Sequence, residues 1–171
     1  MKDKNTELNW AGIDKLAAEI RASGGPGSNE WDMDNSHTKG FNEAFIKALR
    51  ENKGKVPGEL EAAMALILTT TGAKTGKERV VPLACHLIEG RLLVAASMGG
   101  SDRNPPWFHN VVSHPEVLVE KDGETFSAMA VVTEGEDRNS LFQQICENVP
   151  TFADYQSRTR RQIPVVELKR R

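Results

Sequence analysis

Cysteine is scarce in this chain: only Cys85 and Cys146, far apart and neither in a CxxC pair. That excludes a disulfide framework or a zinc site, and points to buried thiols in a reducing compartment. Long apolar runs are missing as well, so no segment reads as a membrane-spanning helix. The N-terminus carries no targeting signal, and the expected location is the cytoplasm. A basic excess is also lacking: 22 Lys and Arg face 24 Asp and Glu, giving a net charge of −2 and a pI near 6.1. No nucleic-acid partner is expected on that balance, and any anion grip must be local. The four histidines, His37, His86, His109 and His114, show no metal-ligand spacing, so no metal site is expected. Neither GxSxG nor a nucleophilic cysteine context occurs.

What is present is ordinary globular composition, 39% hydrophobic and 27% charged, in 171 residues. That length is enough for one domain with a sizeable core. Ile13, Leu16, Ala17 and Ile20 lie at helical spacing within 9–22, opposite Asp14, Lys15, Glu19 and Arg21. This amphipathic helix has four candidate roles: packing on the body, covering a pocket, meeting a second subunit or touching a membrane. Its mixed charges make the membrane role the weakest. Ser23-Gly-Gly-Pro-Gly-Ser-Asn29 then breaks regular structure. The chain divides into residues 1–39, helix and flexible linker, and residues 40–171, the compact domain.

Phe41, Ala44, Phe45, Ala48 and Leu49 mark a second amphipathic helix ending near Gly54. Strands follow at Met64–Leu68 and on to Pro82, then at Arg91–Ser97, Glu116–Lys121 and Thr125–Val132, with turns at Glu89-Gly90 and Asp122-Gly123. Pro105–Val112 reads as a short helix between hairpins. Thr133 and Glu136 stand at capping-box spacing before a longer helix through Val149, which Pro150 stops. An irregular aromatic segment with Phe152 and Tyr155 leads to a last strand, Ile163–Leu168. Five or six short, mostly antiparallel strands predict a mainly β fold with added helices, a small barrel.

Chemistry concentrates in Leu68-Thr-Thr-Thr-Gly-Ala-Lys-Thr-Gly-Lys-Glu-Arg-Val-Val-Pro-Leu83. Its turn offers Lys74, Lys77 and Arg79 with the hydroxyl of Thr75. It is not a P-loop: three residues separate Gly72 from Gly76, Glu78 follows Lys77, and a strand rather than a helix comes next. Backbone amides and cations there suit a phosphate or carboxylate, and a solvated basic hairpin is the open alternative. A second turn, Ser97-Met98-Gly99-Gly100, allows close approach of a flat or phosphorylated ligand, with Trp107 and Asn110 sharing one face of the helix beyond. The alternative is a loop glycine pair beside a core tryptophan. Two gripping turns without an evident acid, base or nucleophile suggest that a cofactor carries the chemistry.

Leu68-Thr-Thr-Thr-Gly-x-Lys-Thr-Gly, Arg79, Pro82-Leu83, Ser97-x-Gly-Gly, Asn104-Pro105, Trp107, Asn110, His114-Pro115, Asp154-Tyr155-Gln156 and Ile163-Pro164-Val165 together resemble the deazaflavin-dependent nitroreductase family. The resemblance runs from about Gly54 to Leu168. It implies a split β-barrel of the FMN-binding type and coenzyme F420. Lys74, Thr75, Lys77 and Arg79 would hold the phosphate and acidic tail. Pro82, Leu83, Ser97, Met98, Gly99, Gly100, Trp107 and Asn110 would flank the ring. Tyr155 would line the acceptor pocket. The implied reaction is hydride transfer from reduced F420 to a small electron-poor acceptor: a quinone, nitro compound or enone. An FMN-dependent reductase of the same barrel and a non-catalytic F420 carrier are the alternatives. Members commonly pair, so a homodimer is a further expectation.

The sequence departs from the family pattern where Ala73 and Met98 replace frequent arginine and lysine. Two cations are thereby lost near the coenzyme. Ala84, Val149 and Phe152 stand where nitroimidazole-reducing members carry tyrosines, leaving Tyr155 and a more apolar pocket.

Overall fold

Successive side chains along a strand point to opposite faces, and that period of two places one set of them inside a closed barrel. In the computed structural model, which describes residues 36–54 and 64–171, the strands are β1 (Met64–Thr71), β2 (Glu78–Ile88), β3 (Arg91–Ala95), β4 (Glu116–Lys121), β5 (Glu124–Val132) and β6 (Val165–Arg170). Every pairing is antiparallel, in the order β1-β2-β3-β6-β5-β4, and β4 returns to β1. Leu66, Leu68, Val81, Val94, Val117, Val119, Ala128, Val166 and Leu168 fill the interior. The amphipathic helix expected at 9–22 and the linker after it lie outside the described residues.

The helices cover the barrel's outer apolar residues. Helix α1 (Ser36–Glu51) packs Phe45, Ala48 and Leu49 on Ala65 and Ile67 of β1. It starts before Gly40, so the boundary drawn at 39/40 falls inside it. The segment ends at Gly54, where φ is +79° and the N–H bonds to Leu49 O at 2.6 Å. A glycine with positive φ is the usual way to close a helix. Helix α2 (Pro106–Ser113) sends Trp107 and Val111 into the interior cluster. Helices α3 (Gly135–Asn148) and α4 (Thr151–Ser157) bury Leu141, Phe142, Ile145 and Phe152 against Ile88, Leu93 and Val165.

Three sequence expectations need correction. The capping box does not form: Thr133 Oγ1 donates to Val165 O at 2.8 Å, and α3 starts from Glu134 with no side-chain cap. The segment expected to be irregular is the helix α4, because Pro150 ends one helix and begins the next. The last strand starts at Val165 rather than Ile163, whose N–H instead donates to Gln156 Oε1 at 3.0 Å. Of the two thiols, Cys85 is buried and Cys146 only half-buried.

Candidate functional site

The split in this barrel lies along β2. From Glu78 to Cys85 that strand pairs with β1 alone, whereas β3 joins only at His86–Ile88. A strand with one free edge tolerates proline, and Pro82, opposite Ile67, occupies this stretch. Pro82 and Leu83 are half-buried beside the open edge.

At the head of β2 the turn from Gly72 to Lys77 is held mostly by its own bonds. Gly72 N–H donates to Lys77 O at 2.7 Å and Gly76 N–H to Gly72 O at 2.9 Å. Lys77 N–H donates to Thr75 Oγ1 at 3.2 Å, and Ala73 N–H to Asn110 Oδ1 at 2.9 Å. With four of its amides engaged in this way, the turn leaves its side chains, rather than a cradle of backbone amides, available to an anion. Lys74, Lys77 and Arg79 are exposed, and among the described residues none of them has an acidic partner.

Asn110 supports this turn from behind, with Trp107 on the same helix. Asn110 is 8% exposed, and its amide also donates to Thr70 Oγ1 at 3.1 Å, so both of its polar ends are engaged internally. Trp107, 4% exposed, belongs to the barrel core. The core-tryptophan alternative therefore describes its placement, and neither side chain presents a free face to a ligand.

The second turn follows β3. Met98 has a φ of +45°, and Gly99 and Gly100 follow at +63° and +86°. A positive φ is unusual for a side chain as large as methionine. Gly100 does allow a close approach, but to the protein itself: a Cβ there would lie 2.7 Å from Tyr155 O. Thus the turn is seated on α4, next to Tyr155. Tyr155 is half-buried, its ring edge-on to Phe152 at 5.6 Å.

Arg161 organises this side, and the sequence reading missed it. Its guanidinium donates to Ser101 O (2.7 Å), Ser97 O (2.8 Å), Ala96 O (3.1 Å) and Asn104 Oδ1 (2.8 Å). Burial lowers its pKa, partly opposed by Asp102, and four acceptors compensate the lost hydration. Gln156 completes the brace, donating to Arg161 O at 2.7 Å. A run containing Arg158, Arg160 and Arg161 reads as solvated surface. The only available signal was its position between two recognised motifs, Asp154-Tyr155-Gln156 and Ile163-Pro164-Val165. Helix α2 links both halves: Arg161 holds Asn104 just before it, and Asn110 within it holds the first turn.

The sequence profile of the F420H(2)-dependent quinone reductase family matches residues 43–170. This chain belongs to that family. It is 38% identical over 120 residues to an F420H(2)-dependent quinone reductase of Mycobacterium tuberculosis, covering 68% of this chain and 78% of that one. A solved F420-H2-dependent reductase is 37% identical with a TM-score of 0.56, over 61% of this chain and 93% of the other. A structure described as a domain-swapped dimer is 32% identical with a TM-score of 0.59, over 78% and 100%. The chain is accordingly an oxidoreductase of the split-barrel fold that passes hydride from F420H2 to a quinone. Its cofactor is F420, which displaces the FMN and carrier alternatives. The residues present fit that group: three cations, unpaired among the described residues, stand at the head of a strand edge against which a flat ring can lie.

Proposed function

We propose that the quinone reductase site of this chain lies along the open edge of β2, between its two turns. Lys74, Lys77 and Arg79 take the anionic tail, with Thr75 shaping their loop. Pro82 and Leu83 back the ring, the Ser97–Gly100 turn borders it, and Tyr155 lines the acceptor side. Trp107 and Asn110 contribute by holding α2 and the first turn in place. The observation carrying this reading is the set of three exposed cations, unpaired among the described residues, at the head of a one-sided strand.

Bound F420H2 supplies the hydride. The chain's residues orient coenzyme and acceptor and exclude water, so proximity and fixed electrostatics are their contribution. Nitro compounds and enones share the electron-poor character of quinones and extend the acceptor range. A homodimer is favoured by the domain-swapped relative and by the exposed Val80 and Leu118, which flank Thr69 on the outer sheet at 41% and 42% exposure. Two free thiols favour the cytoplasm.

The test is coenzyme titration followed by tryptophan fluorescence. Lys74→Ala and Arg79→Ala should each weaken F420 binding by about fivefold at low ionic strength and less at high salt, since screening shrinks the ionic part. Wild-type affinity in both variants at every salt concentration would remove this turn from the site.

A further inference from the structure

His86 has none of the roles described above. It lies on the outer face of β2 and is 5% exposed. Its Nε2 has no hydrogen-bond partner. A neutral imidazole has one N–H and one lone pair, and leaving either unmade in an apolar layer destabilises the fold. Burial pushes its pKa down to about 4, so it is neutral near pH 7. A leucine here would pack without that penalty, and the orphaned atom calls for an explanation.

Its surroundings supply one. His86 opposes Leu93 at the first β2–β3 pair, the corner where β3 leaves the open edge. Pro82, proposed above to back the coenzyme ring, is four residues earlier and shares this face of the strand. On the other side the imidazole meets Phe152 edge-on at 4.9 Å, and Phe152 meets Tyr155 in the same manner at 5.6 Å. The Phe152 ring, carried on a helix of 7 residues, therefore links the imidazole to Tyr155 through successive edge-on contacts. A χ1 change at Phe152 opens the way from the imidazole toward Tyr155, and because Phe152 is 8% exposed within a buried cluster it requires α4 to give way.

We propose that His86 is a further substrate-binding residue: with Phe152 turned aside, its Nε2–H donates a hydrogen bond to one carbonyl oxygen of the quinone beside Tyr155. This rests on the quinone reductase reading above. Negative charge gathers on that oxygen as the hydride arrives, so a fixed donor in a dry site favours the transition state over the bound quinone. The quinone receives two electrons and one proton as hydride from F420H2 and takes its second proton from water, while the imidazole keeps its own.

The experiment uses 1,4-naphthoquinone as probe, with the full chain, His86→Leu and His86→Gln. In turnover with F420H2, His86→Leu should lose about tenfold in kcat/KM for the quinone, the scale of one neutral hydrogen bond, with F420 affinity unchanged. His86→Gln, whose amide N–H can donate, should recover part of the loss. Independently of turnover, the ¹⁵N resonance of His86 Nε2 should shift when the naphthoquinone is added. Wild-type kcat/KM in the folded leucine variant together with an unmoved resonance overturns the proposal. An inactive wild type whose resonance still shifts would instead sink the reductase reading and leave the contact standing.

Discussion

Individual buried polar residues organise this site more than the exposed ones do. Asn110 and Arg161 each satisfy backbone groups of a loop, which makes those loops reproducible platforms. His86 is the exception, and its unpaired burial has a consequence for stability. Its folded-state pKa of about 4 lies below the ordinary value of 6.5, so between those pH values the unfolded chain binds a proton that the folded one refuses. Stability is therefore full above about pH 6.5 and falls as the pH drops toward 4. The slope is limited to about 1.4 kcal/mol per pH unit, the free energy of one proton across one unit. Melting temperatures measured between pH 6.5 and 4.5 should decline more steeply in the wild type than in His86→Leu. Parallel slopes would show that the imidazole titrates normally.

The hairpins are the elements most legible in the sequence. Glu89-Gly90 and Asp122-Gly123 each put two successive residues at positive φ, the pattern such dipeptides favour, and strands formed on either side. Caps and short helices were less legible because their hydrogen bonds go to distant partners. Thr133 had the right neighbour for a capping box, yet its hydroxyl reaches Val165 across the fold. The Ser97–Gly100 turn shows the same limit, since its glycines were read as room for a ligand and Gly100 instead admits α4. Gly100→Ala places a methyl 2.7 Å from Tyr155 O at a φ of +86°. We expect about 1–3 kcal/mol of destabilisation and, since this turn is proposed to border the coenzyme ring, weaker F420 binding together with a higher KM for the quinone. Urea unfolding and steady-state kinetics check this, and an alanine variant matching the wild type in both would show that turn and helix are not coupled.

Across the molecule, the closed barrel gives these pieces a common frame. One interior cluster and two outer layers put the cations of the first turn, the open edge of β2 and the rings of α4 on a single scaffold. Binding to such a frame stabilises it by mass action. F420 at about a hundred times its dissociation constant should add roughly 2.7 kcal/mol, raising Tm by about 5–11 °C for a domain of this size. Thermal unfolding with and without oxidised F420 measures the shift, which Lys74→Ala should reduce at the same coenzyme concentration. No shift at saturating coenzyme would argue against the binding surface described here.

The strand pattern, the basic turn and the family were all readable from the chain alone, because alternation, turn dipeptides and motif spacing are local properties that survive without the fold. Which polar groups stay exposed and which are engaged by the protein itself was decided only by tertiary contacts. Trp107 and Asn110 looked like ring contacts and are buried supports; Arg161, which the sequence reading passed over, holds a loop; His86 looked like an isolated histidine and packs edge-on to Phe152. Each of those assignments depends on contacts between residues far apart in the chain, and it is barrel closure that creates them.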